Sequence, residues 1–426
     1  MAHAQKRFYV MDDFDLRGKT VFLRVDINSP ISPADGSILD NSRFMSHLDT
    51  IGELSESKLV IAAHQSRPGK DDFTSLYRHS QELEMITGRK VRFIDSLFGH
   101  EVTRAVREMA DGDILMLENT RFYSEEVVID PEDIETMEHT HLVRNLSSLF
   151  DYYIIDAFPA IHRAQTSLVG FRRIRPNIAG RLIEREVTML DRFMMGEAHP
   201  KLAILAGSKI EDSVNVAENF LANDTVDKII AGGVVANAFL WAGGKEIGKR
   251  NRDYIIKNNK NYNNIIKKCQ SILEKYSDRV ILPVDFILNP SGMAINSEDK
   301  VPDQEIMADI GFESVDIFKN EIANAGAIFM NGPMGMYEID EYSMGTREIL
   351  QAVADSRALK IAGGGHTLSA LEMLGLKDRI DHASTGGGAL ISYLSGEPMP
   401  VLSSLYESMK IFGGVENGTA GKDQHI

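Results

Sequence analysis

The sequence predicts an α/β protein of two doubly wound parallel-sheet (Rossmann-like) domains joined by a hinge helix. Three observations lead to this prediction. Short apolar, β-prone runs alternate with helix-like segments, which is the signature of βαβ units and parallel sheets. These runs are too many for one comfortable doubly wound sheet. The chain has 426 residues, more than one hydrophobic core usually serves.

The expected strands are residues 20–25, 59–63, 91–94, 114–117, 153–155, 202–205, 228–231, 280–284, 327–330 and 360–362. Most end in a glycine or polar cluster and are followed by a helical pattern. Between the two sets, Leu182, Ile183, Val187, Leu190 and Met194 recur at helical spacing before Gly196-Glu-Ala-His-Pro200. This predicts a first domain over 1–180, a hinge helix over 181–196, a second domain over 197–405 and a C-terminal segment over 406–426. Residues 251–264 are rich in Asn and Lys and predict a surface excursion before a polar helix over 262–276. The Gly-rich tail after Phe412 predicts disorder.

Composition narrows the functional classes. Hydrophobic residues are 43% and charged residues 25%, ordinary values for a soluble globular protein. No apolar run approaches a membrane span, and Met1-Ala-His-Ala-Gln-Lys-Arg7 lacks the apolar core of a signal peptide. The single cysteine, Cys269, excludes an intramolecular disulfide framework and a multi-cysteine metal site, and it fits a reducing cytoplasm. A formal net charge of −16 argues against nucleic acid as a partner. A small anionic substrate remains compatible, because a local arginine cluster can outweigh the mean field. The P-loop pattern, the His-Glu-x-x-His zinc motif and the Gly-x-Ser-x-Gly nucleophile elbow are all absent, as is a Gly-x-Gly-x-x-Gly turn after the first strand.

Two sets of strand-end motifs carry chemistry. Before residue 180, five segments each offer one arginine: Arg24-Val-Asp26-Ile-Asn28, Asp40-Asn-Ser-Arg43, His64-Gln-Ser-Arg67-Pro, Glu118-Asn-Thr-Arg121-Phe and Asp156-Ala-Phe-Pro-Ala-Ile-His162-Arg163. Arginine binds carboxylate or phosphate bidentately and stays charged, so a substrate with both groups calls for several such forks. Later in the chain come Ala206-Gly-Ser-Lys209, Ala231-Gly232-Gly233, Asn331-Gly-Pro333, Gly363-Gly364-Gly365-His366-Thr367 and Gly386-Gly387-Gly388. Glycine lets a backbone approach a phosphate closely, and amides at a helix start carry partial positive charge.

In order and spacing these segments resemble the 3-phosphoglycerate kinase family, in its archaeal form, over nearly the whole chain to about Leu405. The resemblance implies a phosphotransferase acting between 1,3-bisphosphoglycerate and ADP. Arg43 would support the reacting carboxylate or acyl phosphate, and Asp26 and Asn28 the substrate hydroxyl. His64, Arg67, Arg121 and Arg163 would hold the phosphate that does not react. Lys209 and Gly387, in the turn that opens onto Gly388, would face the transferring phosphoryl group. Gly232 and Gly233 would lie against adenine. Asn331, Pro333, Gly364, Gly365, His366 and Thr367 would line the nucleotide, with Glu338 on the ribose. Domain closure about the hinge helix would bring Arg43 and Lys209 to one phosphoryl group.

The chain departs from the family pattern at three places. His64-Gln-Ser-Arg-Pro replaces the commoner His-Leu-Gly-Arg-Pro. Ser213 stands where a second lysine is usual, so a lysine restored there is expected to be neutral or mildly activating. His366 stands where the family has its metal aspartate. Magnesium is expected with ATP or ADP, but it prefers oxygen to a neutral imidazole. Either another oxygen, such as Thr367 or water, takes over, or the ion shifts, which leaves the protein ligand unknown. The alternative function is a non-catalytic sensor or scaffold that binds nucleotide or phosphoglycerate.

Overall fold

The computed structural model describes residues 7–413. The tail expected to be disordered falls at 414–426, outside the described residues, as does most of the N-terminal segment that lacks a signal-peptide core.

The first sheet has seven strands: β1 (Tyr9–Val10), β2 (Thr20–Val25), β3 (Lys58–Ala62), β4 (Val91–Phe93), β5 (Ile114–Met116), β6 (Tyr152–Asp156) and β7 (Asn177–Ala179). Their order is β1-β7-β6-β2-β3-β5-β4, and every pairing is parallel. The chain order reverses between β2 and β6. Such switch points open a crevice beyond the strands' carboxyl ends, where ligands bind in α/β sheets.

The second parallel sheet contains β8 (Lys201–Leu205), β9 (Lys228–Ala231), β10 (Val280–Ile281), β14 (Ala327–Asn331), β15 (Leu359–Gly363) and β16 (His382–Ala383), ordered β10-β9-β8-β14-β15-β16. Here the reversal lies between β8 and β14. Central strands such as β8 and β14 are buried along their whole length, which explains their unbroken apolar runs.

A third sheet was not expected. The strands β11 (Asp285–Asn289), β12 (Ala294–Asn296) and β13 (Ile306–Ile310) form an antiparallel sheet ordered β12-β11-β13. The expected strand over 280–284 stops at Ile281, two residues before Pro283, which cannot donate to a ladder. β11 alternates between half-buried and buried residues, as one-sided sheets do.

The helix expected as a hinge forms at Arg181–Met195, with Leu182, Ile183, Val187, Leu190 and Phe193 buried. Phe193 takes the core place expected of Met194, which is only half-buried. Its first turn is held by the Asp156 carboxylate, which accepts from Leu182 N at 2.8 Å. Gly180 precedes it because a Cβ there would lie 2.3 Å from Asp156 Oδ1.

The described chain forms two compact units, residues 7–185 with 399–413, and Glu186–Pro398. The boundary falls inside the helix rather than at its ends, and the second unit ends at Pro398, not at 405. The helix Pro400–Phe412 belongs to the first unit. There Ser408 Oγ accepts from Asn177 N at 2.9 Å, Val401 N donates to Ile161 O at 3.2 Å, and Glu407 pairs with Arg172 at 3.1 Å. Among the described residues, no helix is long and apolar enough to cross a membrane.

Candidate active site

In the first unit the predicted residues sit on the segments that follow β2, β3, β5 and β6, with Arg43 in the short helix Ser42–Met45 and Arg121 in the 3-10 turn Thr120–Phe122. Arg24, the arginine of the first segment, is an exception to the expected outward forks. Its guanidinium is fully buried and donates to Ser167 Oγ at 2.8 Å, to Val25 O, and to His64 Nδ1 at 3.0 Å. Glu126 balances its charge at 3.9 Å. Arginine has no acceptor, so His64 Nδ1 must accept and the ring proton resides on Nε2. That Nε2 is buried with no hydrogen-bond partner among the described residues. Burial pushes the His64 imidazole well below its ordinary range; Asp26 opposes this and Arg24, Arg121 and Arg163 reinforce it. The result is a neutral imidazole presenting an unpaired N–H.

Arg43 Nη1 meets Asp26 Oδ1 at 2.8 Å, with Arg43 about one-third exposed and Asp26 buried. Burial would raise the Asp26 carboxyl, but the positive groups around it, His64 when protonated, Arg43 and Arg24, together with the Asn28 amide, hold it below the usual carboxylate range. Asn28 Oδ1 accepts from Ser66 N at 2.9 Å. Ser66 occupies the position of the family glycine and keeps a left-handed backbone, φ 57°. Its carbonyl receives the Arg121 guanidinium. Burial, then repulsion from Arg163 and Arg24, pushes Arg121 down to about 10, and its buried Nε also lacks a partner among the described residues. Burial likewise lowers Arg163, which feels Asp26 on one side and Arg24, Arg43 and Arg67 on the other. Arg67 is exposed. Asp26, Asn28, Arg43, His64, Arg67, Arg121 and Arg163 thus gather into one strongly positive cluster.

In the second unit the predicted turns interlock at the ends of β8, β9, β14 and β15. Gly207 N donates to Pro333 O at 3.0 Å, and Gly233 N to Met334 O at 3.1 Å. Side chains are sterically excluded: a Cβ on Gly332, which has φ +96°, would lie 2.1 Å from Ala206 O, and one on Gly232 2.4 Å from Met334 Sδ. A Cβ on Gly364 would lie 2.3 Å from Asn331 Oδ1, so the buried Asn331 packs directly under that turn. Gly233, Gly365 and Gly388 each begin a helix, and Lys209 immediately precedes another, Ile210–Ala222. The second unit therefore lines its strand ends with helix N-termini and exposed amides, a fit to phosphate.

Lys209 is exposed, as are Gly365 and Gly387, the latter with φ +52°. Two expectations change here. Thr367 is buried and its hydroxyl accepts from Gly332 N at 2.7 Å, so it ties two turns together and is not an open metal oxygen. Ser213 is fully buried in the helix Ile210–Ala222, with Oγ lacking a hydrogen-bond partner among the described residues. A lysine there would enter the core rather than replace a missing cation. His366 Nδ1 lies 3.8 Å from Glu338 Oε1, both side chains exposed, so these two nucleotide candidates face each other.

Sequence reasoning missed Glu186 and His382. Glu186, buried in the helix Arg181–Met195, pairs with His382 at 2.7 Å and accepts from Thr385 N at 3.0 Å, fixing the turn before Gly386. A signal was present: Glu186 falls within the apolar stripe of that helix, four residues after Leu182.

Residues 11–397 match the phosphoglycerate kinase family model. The chain belongs to the phosphoglycerate kinase family. It is 62% identical over 407 residues to the phosphoglycerate kinase of Thermoplasma acidophilum, covering 96% of this chain and 99% of that one. The phosphoglycerate kinase of Thermoplasma volcanium is 61% identical over 405 residues, covering 95% and 99%. The crystal structure of phosphoglycerate kinase from Pyrococcus horikoshii superposes with a TM-score of 0.84 at 38% identity, covering 95% of this chain and all of that one. These relatives support the kinase function expected from the sequence and not the non-catalytic alternative. Among phosphoglycerate kinases this chain keeps the two-domain α/β fold.

Proposed function

We propose that the chain catalyses reversible phosphoryl transfer between 1,3-bisphosphoglycerate and ADP, giving 3-phosphoglycerate and ATP, and that the residues above divide this task by unit. The observation that carries the proposal is the arginine cluster around His64. It holds two buried N–H groups without a partner among the described residues, His64 Nε2 and Arg121 Nε, amid mutually repelling cations. Buried polar groups are normally satisfied, so an anionic oxygen completes the site. His64, Arg67, Arg121 and Arg163 take the non-reacting phosphate. Asp26 and Asn28 hold the substrate hydroxyl, and Arg43 takes the reacting carboxylate.

In the second unit, Gly232 and Gly233 lie against adenine, and Asn331, Pro333, Gly364, Gly365 and Thr367 shape the nucleotide site. Glu338 and His366 contact the nucleotide, Glu338 at the ribose. Lys209 and Gly387 stabilise charge on the transferring group. Phosphoryl transfer demands little covalent chemistry from protein; it needs in-line positioning and dispersed charge. Two arginine- and lysine-based donors suited to developing negative charge meet that need.

Magnesium supplies charge neutralisation when it accompanies ATP or ADP. The donor set at position 366 does not fit a direct ligand for it. Imidazole is a poor magnesium donor, the Thr367 hydroxyl is taken by Gly332 N, and among the described residues no group of three His, Cys, Asp or Glu side chains is poised for a metal. The ion would draw its oxygen neighbours from the nucleotide phosphates and water. Small-molecule substrates and a cytoplasmic setting complete this reading, with neither nucleic acid nor membrane as partner.

A coupled assay with 3-phosphoglycerate, ATP and magnesium tests the proposal. ADP production dependent on 3-phosphoglycerate is expected; its absence with purified folded protein would overturn it.

A further inference from the structure

His47 carries no role in the reading above, yet it is buried one turn beyond Arg43 with both ring nitrogens engaged. Nδ1 lies 2.9 Å from Asp156 Oδ2. Nε2 lies 3.2 Å from Asp26 N and 3.1 Å from Asp26 O. The Asp156 carboxylate, itself fully buried, gathers three further donors. Thr50 Oγ1 donates at 2.8 Å, and Leu182 N and Ile183 N donate at 2.8 and 3.4 Å. Thr50 Oγ1 in turn accepts from Arg181 N at 2.9 Å.

The carboxylate can only accept, so Nδ1 carries a proton and donates to it. Nε2 holds the Asp26 main chain in either charge state: a neutral ring accepts from the Asp26 amide, and a protonated ring donates to the Asp26 carbonyl. One imidazole thus pins the main chain of Asp26 to the residue that caps the helix Arg181–Met195. Asp26 is the first residue beyond β2, which ends at Val25. Its carboxylate meets Arg43 at 2.8 Å, so a small rotation of the Asp26 peptide would break the Asp26–Arg43 geometry. Supporting residues of this kind fix a ligand group that they do not touch.

We propose that His47 is a positioning residue for phosphoglycerate, acting through the Asp26 main chain with Asp156 as its anchor. The inference rests on the assignment of Asp26 to the substrate hydroxyl. The two arms of the imidazole are separable by chemistry. The amide of asparagine reaches about as far as Nδ1 and keeps the Asp156 arm. The amide of glutamine reaches about as far as Nε2 and keeps the Asp26 arm.

The experiment compares wild type, His47→Asn and His47→Gln in steady-state kinetics and thermal unfolding. The expected result is a KM for 3-phosphoglycerate raised about tenfold in His47→Asn, the loss of roughly one well-made hydrogen bond, and largely recovered in His47→Gln. KM for ATP stays unchanged in both. Equal 3-phosphoglycerate constants for the two variants, or KM values for both substrates moving together, would overturn the proposal and make His47 a packing residue. Should either variant fail to fold, the wild type decides alone. In protein carrying 15N-labelled histidine, the Nε2 resonance of His47 is expected to shift when 3-phosphoglycerate saturates the enzyme. An unmoved resonance at saturation overturns the role. A wild type with no turnover of 3-phosphoglycerate is a different outcome: it removes the proposed reaction itself, and this role with it.

Discussion

In the proposed reading the two units bind phosphate in opposite ways. The first uses side-chain charge. Its arginines and His64 are crowded, with His64 and Arg121 buried, and His64, Arg43 and Arg121 are already joined by hydrogen bonds to Arg24, Asp26 and Ser66. The second uses backbone. Its turns are glycines locked against one another, and its charged groups, Lys209, His366 and Glu338, stand exposed at the rim. Arginine forks suit a small ligand with carboxylate and phosphate at fixed separation, because each fork has a direction. Helix N-termini and amides suit a phosphate chain attached to a flat base, because they follow its length and leave room for stacking.

Removing a charge should test this contrast most sharply. Lys209→Ala is expected to lower kcat by roughly 10³ or more, since no second lysine in its loop compensates. Arg43→Ala should lower kcat and kcat/KM together, the pattern for an interaction made mainly in the transition state. Steady-state kinetics of both variants check this; a raised KM with kcat intact would make either one a binding residue only.

Position 213 separates charge at the rim from charge in the core. Ser213→Lys would place an ammonium at a fully buried site, so it is expected to destabilise the protein by about 3 kcal/mol or more without raising activity. Ser213→Ala should be neutral or stabilising, because Oγ lacks a partner among the described residues. Denaturant unfolding of the two variants measures the difference, and an activated, stable Ser213→Lys would return the position to the active site.

Acid should act on the units with opposite sign. In the first, burial holds His64 well below the ordinary imidazole range and His79 at about 4. Their unfolded forms take up protons near pH 6.5 while the folded forms do not, so this stability is present above about pH 6.5 and is lost as pH falls toward 4. In the second, burial pushes the Asp309 carboxyl up to about 7, although Gly345 N and Ile310 N donate to it. Its folded form keeps a proton that the unfolded chain releases, so that contribution is present below about pH 4 and is lost as pH rises to about 7. Hydrogen exchange between pH 7 and pH 5 should show amides of β2 and β3 losing protection relative to those of β14. A uniform change would refute the contrast.

The smallest effect concerns the rim. His366→Asp sets a carboxylate opposite Glu338, where the imidazole now stands 3.8 Å away. It should lower the magnesium concentration needed for half-maximal activity by several-fold, because it introduces a hard oxygen donor where the wild type offers none. An unchanged magnesium titration would show that a carboxylate at position 366 does not reach the ion.

Much of this protein was determined by sequence alone. Parallel strands buried on both faces read as unbroken apolar runs, so β2, β8, β9 and β14 were placed within a residue of their observed bounds. The helical stripe through Arg181–Met195 was equally plain, and the strand-end arginines and glycines mark ligand chemistry by residue type. Other features depended on contacts distant in sequence. The three-stranded antiparallel sheet was hidden because Phe286-Ile-Leu288 does not alternate in hydrophobicity, although its burial does. Only packing turned Arg24 inward onto His64, drew Ser213 into the core and assigned the last helix to the first unit. An arginine, a serine or a histidine can serve as ligand or as scaffold, and its letter is the same in both cases. Burial and the hydrogen-bond partner decide between them, and both come from residues far away along the chain.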